Sequence, residues 1–318
     1  MQHDCYSAAR APLDVRFDQG GPVPPKRSAR RRRPYASGVY LVLALASAAA
    51  YGAADFLGGL TSKRADTVAV VVLSQFSGLI LLAAMLLFAP AAHYTRSDLL
   101  WGAAAGVTGG SGVAILYHAL ATGTMAVVAP ITALCAVVIP VGVAVALGER
   151  PSVVTLAGIA LAAMAIVLLS RSAQSGERHH YARSVALALA SGIAIGLFFL
   201  CLARTGRDAG LWPLLVARMV SVPFFGVIAV ASRRSLKMAP RVALIVIGGG
   251  ALDMLANLLY QLAAHLGPLS VVVTLASLYP ASTVILARVT LGERLTSSQA
   301  VGVLCAMVAV VVIVGSTA

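Results

Sequence analysis

From about residue 38 onward the chain alternates long apolar runs with short breaks of charged, glycine and proline residues. The runs fall at 38–60, 67–89, 98–122, 124–147, 152–170, 184–203, 211–231, 241–265, 268–291 and 297–316. Each is close to the ~20 residues a helix needs to cross the hydrocarbon core of a bilayer. They are apolar on all sides, and too long to be the ~10-residue alternating segments of a membrane barrel. The pattern predicts ten transmembrane helices. Composition agrees, with 59% hydrophobic and 11% charged residues against the ~25% charged of soluble domains, and a mean hydropathy of +0.91. The four cysteines, Cys5, Cys135, Cys201 and Cys305, stand alone, without disulfide or zinc spacing. No metal and no cofactor are expected.

Comparing the chain with itself reveals a period of 144 residues. Leu147-Gly148-Glu149-Arg150 recurs as Leu291-Gly292-Glu293-Arg294, and Leu43-Ala44-Leu45-Ala46-Ser47 as Leu187-Ala188-Leu189-Ala190-Ser191. The same ungapped shift superimposes Gly52 on Gly196, Gly106 on Gly250, Gly123 on Gly267 and Gly158 on Gly302. The expected organisation is therefore a basic tail at 1–37, a five-helix repeat at 38–170 and a second at 184–316. Five is odd, so the second half enters from the opposite side to the first. The predicted fold class is an all-α integral membrane protein of ten helices, arranged as two inverted five-helix repeats. Inverted repeats suggest a secondary transporter with its site near the midplane between the halves.

The formal net charge of +13 would suggest nucleic acid in a soluble chain, but here the basic residues lie in the tail and the connectors. Their expected role is topology rather than nucleic-acid binding. The tail carries eight of the 24 basic residues, four of them in Arg30 to Arg33, and is read as disordered. Connectors after even-numbered runs hold four basic residues and those after odd-numbered runs ten. Only the tail tips the balance toward a cytoplasmic N-terminus, and the even number of helices brings the C-terminus to the same side.

An ionisable residue within a spanning run is a candidate functional site, because its charge is costly in hydrocarbon unless it is paired or faces water. Four qualify: Asp55, Arg218, Asp253 and Arg288. Asp253 leads a polar stripe continued at helical spacing by Asn257, Tyr260 or Gln261, and His265. It lines a cavity or forms a structural ion pair with Arg218. Asp55 follows Tyr51 by one turn and corresponds to Phe199 in the second half, so the acid breaks the repeat. A carboxylate is the side-chain type able to exchange a proton there, which makes Asp55 the candidate coupling group. Arg288 is expected to reach the interface or to pair with Glu293. Pro130 and Pro140, Pro213 and Pro223, and Pro280 are expected to kink their helices, as at transporter binding sites. Glycines spaced by four at Gly102, Gly106 and Gly110 suggest close helix packing. Gly109-Gly110-Ser111-Gly112 also fits the Gly-x-Ser-Gly pattern of intramembrane serine proteases, with His265 as a conceivable base. The Gly/Ser pattern is cheap in a chain with 29 glycines, and an inverted repeat is foreign to those enzymes.

Ala53-Ala54-Asp55-Phe56-Leu57-Gly58-Gly59, Gly123-Thr124-Met125-Ala126-Val127-Val128-Ala129-Pro130, Leu278-Tyr279-Pro280 and the two Leu-Gly-Glu-Arg turns resemble EamA-type transporters of the drug/metabolite transporter superfamily. The resemblance implies ten helices with both ends cytoplasmic, a central cavity and export of small metabolites such as amino acids. The first half departs from it, with Cys135-Ala136 where the second has Tyr279-Pro280. The expected function is a non-enzymatic, multi-pass transporter of the inner (plasma) membrane. It would export a small polar or zwitterionic metabolite, with protons as coupling ion and the lipid bilayer as its surroundings. A multidrug or organic-cation exporter is the alternative. The expected substrate site comprises Tyr51, Asp55, Pro130, Asp253, Asn257, Tyr260, Tyr279 and Pro280.

Overall fold

A computed structural model describes residues 38–89, 92–146, 152–170, 178–266, 272, 275–293 and 295–315. The basic tail and most of the two Leu-Gly-Glu-Arg turns lie outside these residues. Regular structure among them is helical. The bounded helices are α1 (Val39–Ser62), α2 (Thr67–Leu86), α3 (Arg96–Thr122), α4 (Met125–Ala146), α5 (Val153–Ser170), α6 (Arg178–Ala203), α7 (Trp212–Ala231), α8 (Pro240–Leu266), α9 (Tyr279–Leu291) and α10 (Ser297–Gly315). Six of these, α1, α2, α3, α6, α7 and α8, are long and apolar enough to cross a membrane. Shorter apolar helices run over Met125–Ile139 in α4 and Ala300–Ala309 in α10.

Local chemistry explains the helix ends. Asp66 caps α2 by accepting from the Val68 N–H at 2.9 Å. Thr95 and Asp98 form a capping box at the start of α3, which satisfies amides that have no partner inside the helix. Gly292 ends α9 in the left-handed conformation at φ +65°, the usual glycine role just past a helix. Two of the expected kinks are corrected. Pro213 and Pro280 each sit in the first turn of a helix, where the missing N–H costs nothing. The run at 268–291 is accordingly interrupted by a turn at Ser277–Leu278, and α9 starts afresh at Tyr279.

The helix contacts follow the repeat. The α1–α8 contact is matched by α6–α3, α2–α8 by α7–α3, and α1–α9 by α6–α4, while α2–α7, α4–α9 and α5–α10 each pair with themselves. The correspondence reaches single hydrogen bonds. The Ser47 hydroxyl donates to the Ala256 carbonyl at 2.8 Å and the Ser191 hydroxyl to the Gly112 carbonyl at 2.8 Å. Each bond becomes the other on shifting by 144 and exchanging halves.

Small residues make these contacts. Gly102 and Gly106 of α3 lie against the backbone of Pro213 and Ala217 of α7, while Gly250 of α8 lies against the backbone of Ser74 of α2. Large apolar side chains such as Val42, Ile80, Leu100, Val230, Leu244 and Val308 point outward. Lipid tails remove the hydrophobic drive between helices, so close backbone approach and interhelical hydrogen bonds must hold the bundle.

Polar contacts join connectors to one another and to a helix start. Asp98 accepts from the Gly206 N–H at 2.6 Å, and the His93 N–H donates to the Asp208 carbonyl at 2.9 Å, joining the α2–α3 and α6–α7 connectors. Asp66 pairs with Arg234 at 2.8 Å, joining the α1–α2 and α7–α8 connectors. Both carboxylate oxygens of Glu293, in the α9–α10 connector, accept from α4, at 3.2 Å from the Met125 N–H and 3.1 Å from that of Ala126. Among the described connectors, these contacts join the one after α1 to the one after α7, the one after α2 to the one after α6, and the one after α9 to the start of α4.

Gly250→Val puts a branched side chain into the Ser74 backbone and should cost about 1–3 kcal/mol through overpacking. Gly248→Ala, whose added methyl meets nothing within 4 Å, should leave stability unchanged. Thermal unfolding of both detergent-solubilised variants checks this.

Candidate functional site

Among the described residues, charged and amide side chains meet near the middle of α2, α7 and α8. There the Arg218 guanidinium of α7 donates one NH2 arm to the Gln75 side-chain carbonyl of α2 and the other to the Asp253 carboxylate of α8. The Ser221 hydroxyl, one turn along α7, also donates to Gln75, at 3.2 Å. The close α2–α8 approach at Gly250, and Gly78 of α2 facing the Arg218 guanidinium, bring these helices near enough for the side chains to meet. Arg218 and Asp253 keep 12% and 17% of their side-chain surface accessible, so the pair is not sealed.

A second group gathers beside it on α1 and α9. Asp55 is half-buried and lies within electrostatic reach of Asp253. Tyr51 and Tyr279 stack obliquely with ring centroids 6.3 Å apart, against Ala48 and Ala133. The Tyr51 hydroxyl is buried without a hydrogen-bond partner, in the field of Asp253, Tyr260, Arg218 and Asp55. Gly52 permits this grouping, since the backbone of Tyr279 sits where its side chain would be, and the Thr283 hydroxyl locks the contact by donating to the Gly52 carbonyl at 3.1 Å.

The remaining expected site residues fall in different places. The Asn257 amide turns back to the Asp253 backbone carbonyl at 2.8 Å. Tyr260 faces Phe199 at 6.2 Å, at the edge of the cluster. Gln261 leaves the stripe, donating to the Gly210 carbonyl at 2.6 Å. Pro130 is buried in α4, one turn before Ala133, and Pro280 is buried in the first turn of α9. Arg288 lies exposed near the end of α9, and Glu293 caps α4 in place of the expected Arg288 pair. The His265 side chain lies outside the described residues. Ser111 is half-buried on α3, between Gly110, which meets Phe225 and Ser221 of α7, and Gly112, which meets Ile195 of α6.

Sequence reasoning missed Gln75, Ser221 and Tyr117. Tyr117 of α3 is buried with its ring over Gly58 of α1 and feels Asp253, Asp55 and Arg218. Gln75 carried a usable signal, as an amide in the middle of an otherwise apolar run. Tyr117 carried none, because a tyrosine near a helix end is common at membrane interfaces.

The EamA-like transporter family matches the chain twice, over residues 38–171 and 182–315. The chain belongs to this family, which makes it a multi-pass membrane transporter of the drug/metabolite transporter superfamily with an internal repeat. No curated protein matches it significantly. Among fifteen solved chains that match is a crystal structure of 13% identity and TM-score 0.58, covering 86% of this chain and 96% of that one; the likeness is of fold.

Arg218→Gln leaves Asp253 unpaired, and Asp253→Asn leaves Arg218 unpaired, so each should cost about 3–5 kcal/mol. The double variant removes both charges and should cost clearly less than the sum. A double-mutant cycle on unfolding in detergent measures the difference, and additive losses would contradict the pairing.

Proposed function

We propose that the protein is a ten-helix secondary transporter of the inner membrane, built from two inverted halves with both termini cytoplasmic, which exports a small polar metabolite. The polar cluster carries this reading. Asp55, Tyr51 and Gln75 come from the first half and Arg218, Asp253 and Tyr279 from the second, so the charged groups of the interior lie where the halves meet. A site shared by two halves can face either side as the halves rock. The mid-run break before Tyr279 supports it, because irregular backbone at membrane depth is tolerated where it is buried in protein or lines a cavity. The contacts of the α1 connector with the α7 connector, and of the α2 connector with the α6 connector, support ten crossings and opposed halves.

The substrate site of this proposal is Tyr51, Asp55, Asp253, Asn257, Tyr260, Tyr279, Pro130 and Pro280, with the Arg218–Asp253 pair as its fixed wall. A zwitterion such as an amino acid was expected from two acids balancing two bases. An organic cation gains ground because Arg288 stands at an exposed helix end and Arg218 is already engaged. Asp55 is the proposed proton-coupling group, because the Asp253 carboxylate is engaged by Arg218 and Asp55 has no such partner among the described residues.

Cells with the protein should survive toxic amino-acid analogues or lipophilic cations better than cells without it. Protection against the cations alone would exclude the amino-acid reading, and protection against neither would count against export. Asp55→Asn should abolish uphill transport in vesicles, while exchange of substrate down its own gradient should still be seen at substrate concentrations raised enough to offset weaker binding. Asp253→Asn should lower both together. Uphill transport by Asp55→Asn at the wild-type rate would remove Asp55 from coupling.

A further inference from the structure

We infer that the site recognises its substrate through an ammonium group, held by Asp55 beside the Tyr51 and Tyr279 rings. It offers no uncompensated cation to a substrate carboxylate, so amines are carried in preference to amino acids. This deepens the transporter reading and rests on it.

The inference comes from which groups are already satisfied. A substrate carboxylate would need a cation, and the one within the cluster is Arg218. Both of its NH2 arms are engaged, on Gln75 and Asp253, and Ser221 closes on the same Gln75 oxygen. Asp253 already balances the Arg218 charge, so an incoming carboxylate would bring a further anion to a neutral pair in a poorly solvated place. The Arg218–Asp253 pair is neutral as a unit. Asp55 is therefore the acid of the cluster left without a counter-ion, with no hydrogen bond or ion pair among the described residues. Its charged neighbour Asp253 adds repulsion rather than relief.

Everything else around Asp55 suits a cation. The Tyr51 and Tyr279 rings are 6.3 Å apart and inclined at 60°, and aromatic faces attract ammonium groups, more strongly when water is excluded. The Tyr51 hydroxyl, buried and without a partner, offers an oxygen to an N–H donor. A buried polar group left unmatched is costly, and an ammonium ligand would satisfy both this hydroxyl and Asp55.

Isothermal titration of the purified full-length protein with matched pairs tests this, using agmatine against arginine, cadaverine against lysine and tyramine against tyrosine. In at least one pair the amine should bind tenfold or more tightly than the amino acid, and Asp55→Asn should weaken that amine tenfold or more. Amino acids binding as well as their amines, no binding in any pair, or amine binding that survives Asp55→Asn would each overturn the inference. The wild-type comparison needs no variant, so misfolding of Asp55→Asn does not blunt it. Binding is read without flux, so failure of this inference differs from failure of the transport reading, which is seen when vesicles loaded with a bound amine show no export.

Discussion

The Arg218–Asp253 pair with its Gln75 partner is the constraint around which the interior is organised. A lone charge in such a bundle would be expelled to the interface or neutralised, so a guanidinium persists at mid-depth only if its donors are matched. Matching them needs three helices, α2, α7 and α8, drawn from both halves. The glycines follow from this requirement. Gly250 against Ser74, and Gly78 beside Arg218, let the backbones of α2 and α8 approach until the side chains can close the network.

The same economy governs the ends. Without a hydrophobic effect between helices, polar caps decide where connectors rest. Glu293 is held in place by the left-handed turn at Gly292 and neutralises the exposed amides of α4, which also carry the positive end of that helix dipole. The Leu-Gly-Glu sequence is thus a clasp between the α9–α10 connector and α4. The two cross-half ties differ in kind. Asp98 is covered and bonded to backbone at Gly206, whereas the Asp66–Arg234 pair is exposed to solvent. Screening by water and salt weakens the second far more than the first.

The helices and the repeat were legible because they depend on properties a sequence displays directly, namely run length and offset. The candidate residues Asp55, Arg218 and Asp253 were legible for the same reason, since charge in an apolar run is conspicuous. What escaped was three-dimensional. Nothing along α8 tells that Gln261 turns toward the α6–α7 connector while Tyr260 stays, or that Asn257 bonds its own helix. Proline was misleading because its effect depends on position: Pro280 starts a helix that had been read as continuous, while Pro223 lies inside one. Of the two expectations for Arg288, an exposed position near the end of α9 is the one found, while Glu293 serves the amides of Met125 and Ala126, which lie too far along the chain for helical spacing to suggest them.

The repeat also separates scaffold from site. Contacts that hold the bundle survive the shift by 144, as Ser47 and Ser191 do and as Gly52 and Gly196 do in their packing on α9 and α4. The polar cluster does not survive it. Asp55 corresponds to Phe199, Tyr51 to Ile195, Gln75 to Met219, Arg218 to Ser74, Asp253 to Gly109 and Tyr279 to Cys135. A duplicated frame with a symmetric interior would present the same groups twice and bind a symmetric molecule best. Here the charge sits on one side of the pseudo-symmetry axis and apolar or small side chains on the other. In the proposed transporter, rocking of the halves would use near-equivalent seams in both directions, while recognition would depend on side chains for which the other half has no copy.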